Sequence, residues 1–169
     1  MPRTDINSLH DDARIWIFGI APALDDAKRA RMLDEVDRFL HGWAAHNVPV
    51  TSAREILHHS FLLIAVDKAS ETSGCSIDRM FGLLRQLERD LDVKILDPSL
   101  VFVRDRGAMT RDEFRSIAGP DTIVFDTLAE RLGDVRSGRW ERRAEDSWHA
   151  KLLAERASHP QPADVSSAG

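Results

Sequence analysis

Apolar residues recur along this chain with two different periods, and the changes of period mark out its elements. The run RIWIFGI at positions 14–20 is β-branched and aromatic, is bounded by Gly19 and Pro22, and reads as a buried strand. Asp25 or Asp26 then offers a carboxylate cap for orphan amides at a helix start. Met32, Val36, Phe39, Leu40 and Trp43 follow at three- and four-residue spacing, which predicts a helix with one apolar face. Its end is expected near Asn47, in a left-handed cap, with Pro49 barring continuation. Residues 50–57 and 61–66 are two extended runs around His58, His59 and Ser60, so a hairpin is expected. Its second strand, FLLIAV, is apolar throughout and belongs in the middle of a sheet. After a polar loop at 69–76, Ile77, Met80, Phe81, Leu84, Leu87 and Leu91 predict a second amphipathic helix to about Asp92, and 100–104 a further strand.

Beyond this point the pattern weakens. Thr110 and Glu113 match a capping box, Phe114 and Ile117 give a short helix its apolar face, and Gly119-Pro120 stops it. Residues 122–125 read as a short strand. The charged segment 136–155 carries Trp140, Trp148, Leu152 and Leu153 as anchors onto the body of the protein. The expected organisation is therefore a flexible arm at 1–13, a core at 14–105, an extension at 106–156 packed on that core, and a disordered tail at 157–169. Strand, helix, strand, strand, helix, strand is the order of the split βαβ pattern, so an α+β fold with a ferredoxin-like core is expected, its antiparallel sheet covered by helices on one face.

That topology has a consequence for chemistry. Following chain direction through it, Trp43, His46, Asp67, Ser73, Cys75, Ser76, Asp78 and Arg104 are expected at one end of the sheet, with His58 and His59 at the other. Cys75 is the sharpest of these. The first turn of a helix presents unpaired N–H groups that favour a thiolate or a bound anion, with Gly74 permitting close approach and Ser73 and Ser76 as capping or anion-contacting hydroxyls. His46 is the candidate base, and Asp67 or Asp78 the orienting carboxylate. Trp43 and Arg104 complete the ligand-contacting set. Each has a plainer reading: Cys75 as a small packing residue, His46 as a helix cap, Asp67 as a turn former, Trp43 as core.

Composition narrows the classes. The chain has 169 residues with 23 Lys and Arg against 28 Asp and Glu, a net charge of −5, which disfavours broad nucleic-acid binding. No apolar run reaches membrane-spanning length, and MPRTDINSLHDD lacks a signal-peptide core, so a cytoplasmic single-domain protein is expected. A single cysteine excludes an internal disulfide and any multi-cysteine zinc cluster. Phosphate-cradling loops of the Walker and dinucleotide types are absent, as are the zinc-peptidase and deaminase patterns, the nucleophile elbow and the aromatic RNA-binding signature.

At Trp43-Ala-Ala-His46, Phe61-Leu-Leu-Ile-Ala-Val-Asp67 and Ser73-Gly-Cys-Ser-Ile-Asp78 the chain resembles a family of small, uncharacterised bacterial proteins, some of them labelled "ABC transporter ATPase". The resemblance spans about 14–105. Members show W-x-x-H-G and V-D-E where this chain has Asn47 and Lys68. It directs attention to His46, Asp67 and Cys75 without implying a reaction. The leading expectation is a site for a small molecule or anion at Cys75, with thiol chemistry, and no cofactor. The alternatives are a non-catalytic interaction module, such as a homodimer formed through the sheet's open face or an edge strand, and a mixed metal site of His46, Asp67 and Cys75.

Overall fold

A computed structural model describes residues 3–158. In chain order, a 3-10 turn (Ile6–Ser8) precedes β1 (Arg14–Gly19), α1 (Asp26–Gly42), the short strands β2 (Ala44–Ala45) and β3 (Val48–Pro49), and the hairpin strands β4 (Ser52–Leu57) and β5 (Phe61–Val66). There follow α2 (Gly74–Leu91), β6 (Leu100–Val103), β7 (Gly107–Thr110), α3 (Arg111–Ile117), β8 (Ile123–Phe125), α4 (Leu132–Arg136), β9 (Glu141–Arg143) and α5 (Ala150–Ser158). The described residues form an α+β fold with antiparallel sheets and five α-helices. They divide into two compact units, one of residues 3–98 with 127–140, the other of 99–126 with 141–158.

In the first unit the sheet order is β1-β5-β4, so the apolar strand FLLIAV lies in the centre, as its composition predicts. All six β5 residues are buried. Leu62, Ile64 and Val66 point with Phe18, Ile20 and Ile56 into a core shared with α1 (Met32, Val36, Leu40) and α2 (Met80, Leu84, Leu87). Asp25 caps α1 by accepting the Lys28 N–H at 2.7 Å. On the opposite face Phe61 meets the buried Trp140 edge-on, ring centroids 5.1 Å apart, and His58 stacks on the same indole at 6.1 Å. At roughly 1.5–3 kcal/mol per large side chain buried, covering β5 on both faces outweighs any single polar contact in the unit.

Residues 127–140 thus return to the first unit, where a simple C-terminal extension was expected. They are tied there by Arg136, which donates to Asp11 Oδ1 at 2.9 Å and to the Ile6 carbonyl at 2.8 Å. Gly133 donates to the Asp11 carbonyl at 2.8 Å, and a Cβ there would sit 3.1 Å from the Asp11 Cβ, so the approach requires glycine. The expected loose arm is pinned as well: Thr4 donates to the Ser52 carbonyl at 2.8 Å, and Leu9 and Ala13 are buried. Arg54 from β4 grips Asp37 of α1 with two bonds of 2.8 and 2.9 Å, which holds the Asp37 carboxyl below its usual range.

The expected four-stranded sheet has three strands. Residues 100–103, expected as its fourth, pair in the second unit in the order β7-β6-β8-β9. A three-residue loop, 104–106, closes β6 onto β7, with Asp105 at φ 67° and Gly107 at φ 79° in the left-handed region. Pairing with the nearest strand in sequence incurs little loop entropy, whereas the first sheet would require a long crossover. Val101, Val103, Met109, Phe114, Ala118, Val124, Ala144 and Leu152 form the core of this unit. The expected tail begins inside α5 at Ala157 and Ser158, and 159–169 lie outside the described residues.

If residues 127–140 form part of the β5 core, Trp140→Ala costs about 3–5 kcal/mol in equilibrium denaturation, in the range of buried Trp truncations. A loss below about 1 kcal/mol contradicts this placement.

Candidate functional site

The α2 N-terminus is built by two serines. Ser73 is the N-cap, its Oγ accepting the Ser76 N–H at 3.1 Å, while the Ser76 Oγ accepts the Ser73 N–H at 2.7 Å and donates to the Ser73 carbonyl at 2.8 Å. This is a full capping box with serine at the third helical position. Both hydroxyls are thereby engaged in the helix start. The Ser76 carbonyl accepts the Trp43 indole N–H at 2.9 Å, so the fully buried Trp43 joins the end of α1 to the start of α2. Cys75 is exposed, and open space surrounds Gly74.

The other residues expected beside Cys75 each have a local setting of their own. α1 ends at Gly42 because Trp43 turns to extended backbone (φ −73°, ψ 126°) to bury its ring. His46 and Asn47 therefore form the two-residue turn of the β2–β3 hairpin, with φ 51° and 64°, and His46 does not sit at the end of α1. Asn47 takes the left-handed conformation expected of it, in a hairpin instead of a helix cap. Asp67 accepts the Ala69 N–H at 2.8 Å in an Asx turn. Asp78 is exposed on α2. Arg104 follows β6 in the second unit, 4.0 Å from Asp105. Among the described residues the side chains of His46 and Cys75 have no hydrogen bond or ion pair, with each other or otherwise. No group of three or more His, Cys, Asp or Glu among the described residues is arranged to hold a metal ion. No helix among the described residues is long and apolar enough to cross a membrane.

A concave site exists elsewhere in the first unit. Residues 14–18 of β1 and 127–131 line a cleft of about 520 Å³. β1 is an edge strand, and its even-numbered residues bond to β5, as Ile20 shows by donating to the Ser60 carbonyl at 2.7 Å. The odd-numbered residues face outward. Ala13 and Ile15 are paired there, through Leu132 N–H to the Ala13 carbonyl and Ile15 N–H to the Glu130 carbonyl, both 3.0 Å. Ala21 is paired with Lys94, at 2.9 and 2.8 Å. Between these two closures the strand–strand ladder stops. Among the described residues nothing bonds the N–H or C=O of Ile17 or Gly19. The sequence contains the strand but no signal of which edge it occupies, so this site was not visible there.

At the mouth of the cleft Arg14 and Arg131 stand directly opposite each other in an isolated antiparallel bridge. Both are exposed, and the Arg14 guanidinium lies 4.3 Å from the centre of the Trp16 ring.

The second unit holds a buried histidine. His149 is fully buried, stacked on Trp148 at 3.9 Å and packed against Phe114 at 5.6 Å, with Nδ1 2.7 Å from the Ser147 Oγ. Its Nε2 and the Trp148 Nε1 have no hydrogen-bond partner. Desolvation, with a smaller contribution from the charge of Arg111, lowers its pKa from 6.5 to about 4. His149 is thus a neutral core group beside the anchor Trp148.

The chain matches no family model, no curated protein and no solved structure.

The unfolded imidazole takes up a proton near pH 6.5 and the folded one only near pH 4, so stability is lost as pH falls through that window. The loss attributable to His149 reaches roughly 3 kcal/mol by pH 4. His149→Phe, compared with the parent chain by chemical denaturation at a series of pH values, is expected to flatten the difference between pH 6.5 and 4. Identical pH profiles for the two proteins contradict the buried neutral imidazole.

Proposed function

We propose that this protein is a non-catalytic interaction module that receives an extended peptide segment along the open edge of β1. One observation carries the reading: the outward N–H and C=O groups of Ile17 and Gly19 have no partner among the described residues, and Ile17 lines a cleft. Donor and acceptor groups two residues apart on a strand edge match the backbone of another strand, whose own groups repeat with the same period. Edge strands are ordinarily capped, twisted away or guarded. Here the guard is partial. Residues 130–132 cover the beginning of the strand and Lys94 its far end, leaving room for a short segment and excluding sheet-to-sheet stacking. The first unit serves as the rigid frame, and its β1–α1–β4–β5–α2 order supports reading it as a split βαβ arrangement reduced to three strands.

A site for a small molecule or anion at Cys75 is the second reading, favoured by the exposure of that residue. It ranks lower because no side-chain hydrogen bond or ion pair joins His46 or Asp67 to the thiol among the described residues, and free amides are common to every helix start.

The test is a selection of short displayed segments on the intact chain, followed by backbone amide exchange on the selected complexes. Bound segments are expected to slow exchange at Ile17 and Gly19. N-methylation of alternate peptide residues should abolish binding, and methylation of the intervening residues should leave it intact. Selected segments that bind without protecting these two amides, or a selection that yields none, overturn the proposal.

A further inference from the structure

We infer that the segment taken by the β1 edge carries an acidic side chain, held between Arg14 and Arg131. The inference rests on the edge-binding reading above and adds to it the chemistry of the partner. In the Arg14–Arg131 bridge the two residues are direct cross-strand partners, so their side chains leave the same face with Cβ atoms about 5 Å apart. Like charges in that position oppose pairing of the two strands. Elsewhere in this unit arginines in contact with neighbouring elements meet carboxylates, as Arg54 meets Asp37 and Arg136 meets Asp11. Neither Arg14 nor Arg131 has a carboxylate within ion-pair distance among the described residues. Glu130 also lines the cleft, and it forms no ion pair with either arginine among the described residues.

The pair is also preorganised. Stacking of Arg14 on Trp16, at 4.3 Å, holds one guanidinium at the mouth of the cleft before any ligand arrives. A carboxylate entering between two planar guanidinium groups accepts charge-assisted, fork-shaped hydrogen bonds and relieves the repulsion between them. On a chain of net charge −5 this local reversal of sign selects for position, since the molecule as a whole repels acidic partners. The pair lies in the closed end of the edge, flanked by the Ala13–Leu132 and Ile15–Glu130 hydrogen bonds and three residues before the free groups of Ile17, so charge recognition adjoins strand addition.

The experiment compares segments selected on the parent chain with those selected on the Arg14→Gln/Arg131→Gln double variant. Removing an opposed like-charge pair is not expected to unfold the protein, and thermal unfolding of the variant checks this. Arg14→Lys/Arg131→Lys is a further control that keeps the charge but not the fork. Segments from the parent chain should be enriched in Asp or Glu at one position. Replacing that residue by Asn or Gln should weaken binding about tenfold at low salt, an effect that shrinks as salt is raised. On the double variant the acidic segment and its amide twin should bind equally. Segments that protect Ile17 and Gly19 yet show no acidic preference overturn this inference and leave the edge reading standing. An acidic preference that survives in the double variant also overturns it. Absence of any segment that protects the edge removes both.

Discussion

The first unit depends on a strand that has no polar face. Every residue of β5 is buried, so both sides of the central strand must be covered before the sheet is stable. α1 and α2 cover one side with Met32, Val36, Leu40, Met80, Leu84 and Leu87. They cannot reach the other, where Phe61 needs a partner and finds Trp140. The chain supplies that indole by leaving the first unit after residue 98 and re-entering at 127.

This return path explains the incomplete edge. To deliver Leu132 and Trp140, residues 127–140 pass along β1 and pair with it at Ala13 and Ile15. Had the same ladder continued, Leu128 would have faced Ile17; it does not, and the cleft occupies the gap. Four unpaired backbone groups at a wet edge cost little, because water satisfies them, whereas exposing Trp140 forfeits several kcal/mol. The apolar demand of β5 thus sets the path, and the binding edge is what that path leaves uncovered. The Arg14–Arg131 opposition belongs to the same crossing, since the hydrogen bonds at Ala13 and Ile15 that flank the bridge bring the two residues face to face.

Much of the local structure was legible in the sequence because it follows from local rules. Asp25 as a cap, the Met32–Val36–Leu40 stripe, the hairpin at His58–Ser60, the centrality of FLLIAV and the end of α2 at Asp92 all require only nearby residues. The failures involve partners distant in sequence. A strand such as 100–103 reads identically whichever sheet it joins, so its pairing with β7 was not legible. Trp43 fitted the helical stripe, but its need for an acceptor, met by the Ser76 carbonyl, ended α1 before His46 and left that residue in a hairpin turn instead of at a helix end. Trp140 was recognised as an anchor, although its target face was not. The edge site involves backbone atoms of Ile17 and Gly19 and an arginine pair separated by more than a hundred residues, and no spacing rule relates these. The Ser73 box was half-read, since serine stands where a Glu or Gln signature is sought.

The central claim is that the β1 ladder is interrupted at Ile17 and Gly19 in the free protein. Scalar couplings across hydrogen bonds report donor–acceptor pairs directly in solution. Couplings are predicted from the Ile15 N–H to the Glu130 carbonyl and from the Ile20 N–H to the Ser60 carbonyl, with none from the Ile17 or Gly19 N–H to any carbonyl of the chain. A coupling from Ile17 to a carbonyl in residues 127–129 would show the edge to be closed by the protein's own chain and would contradict the account.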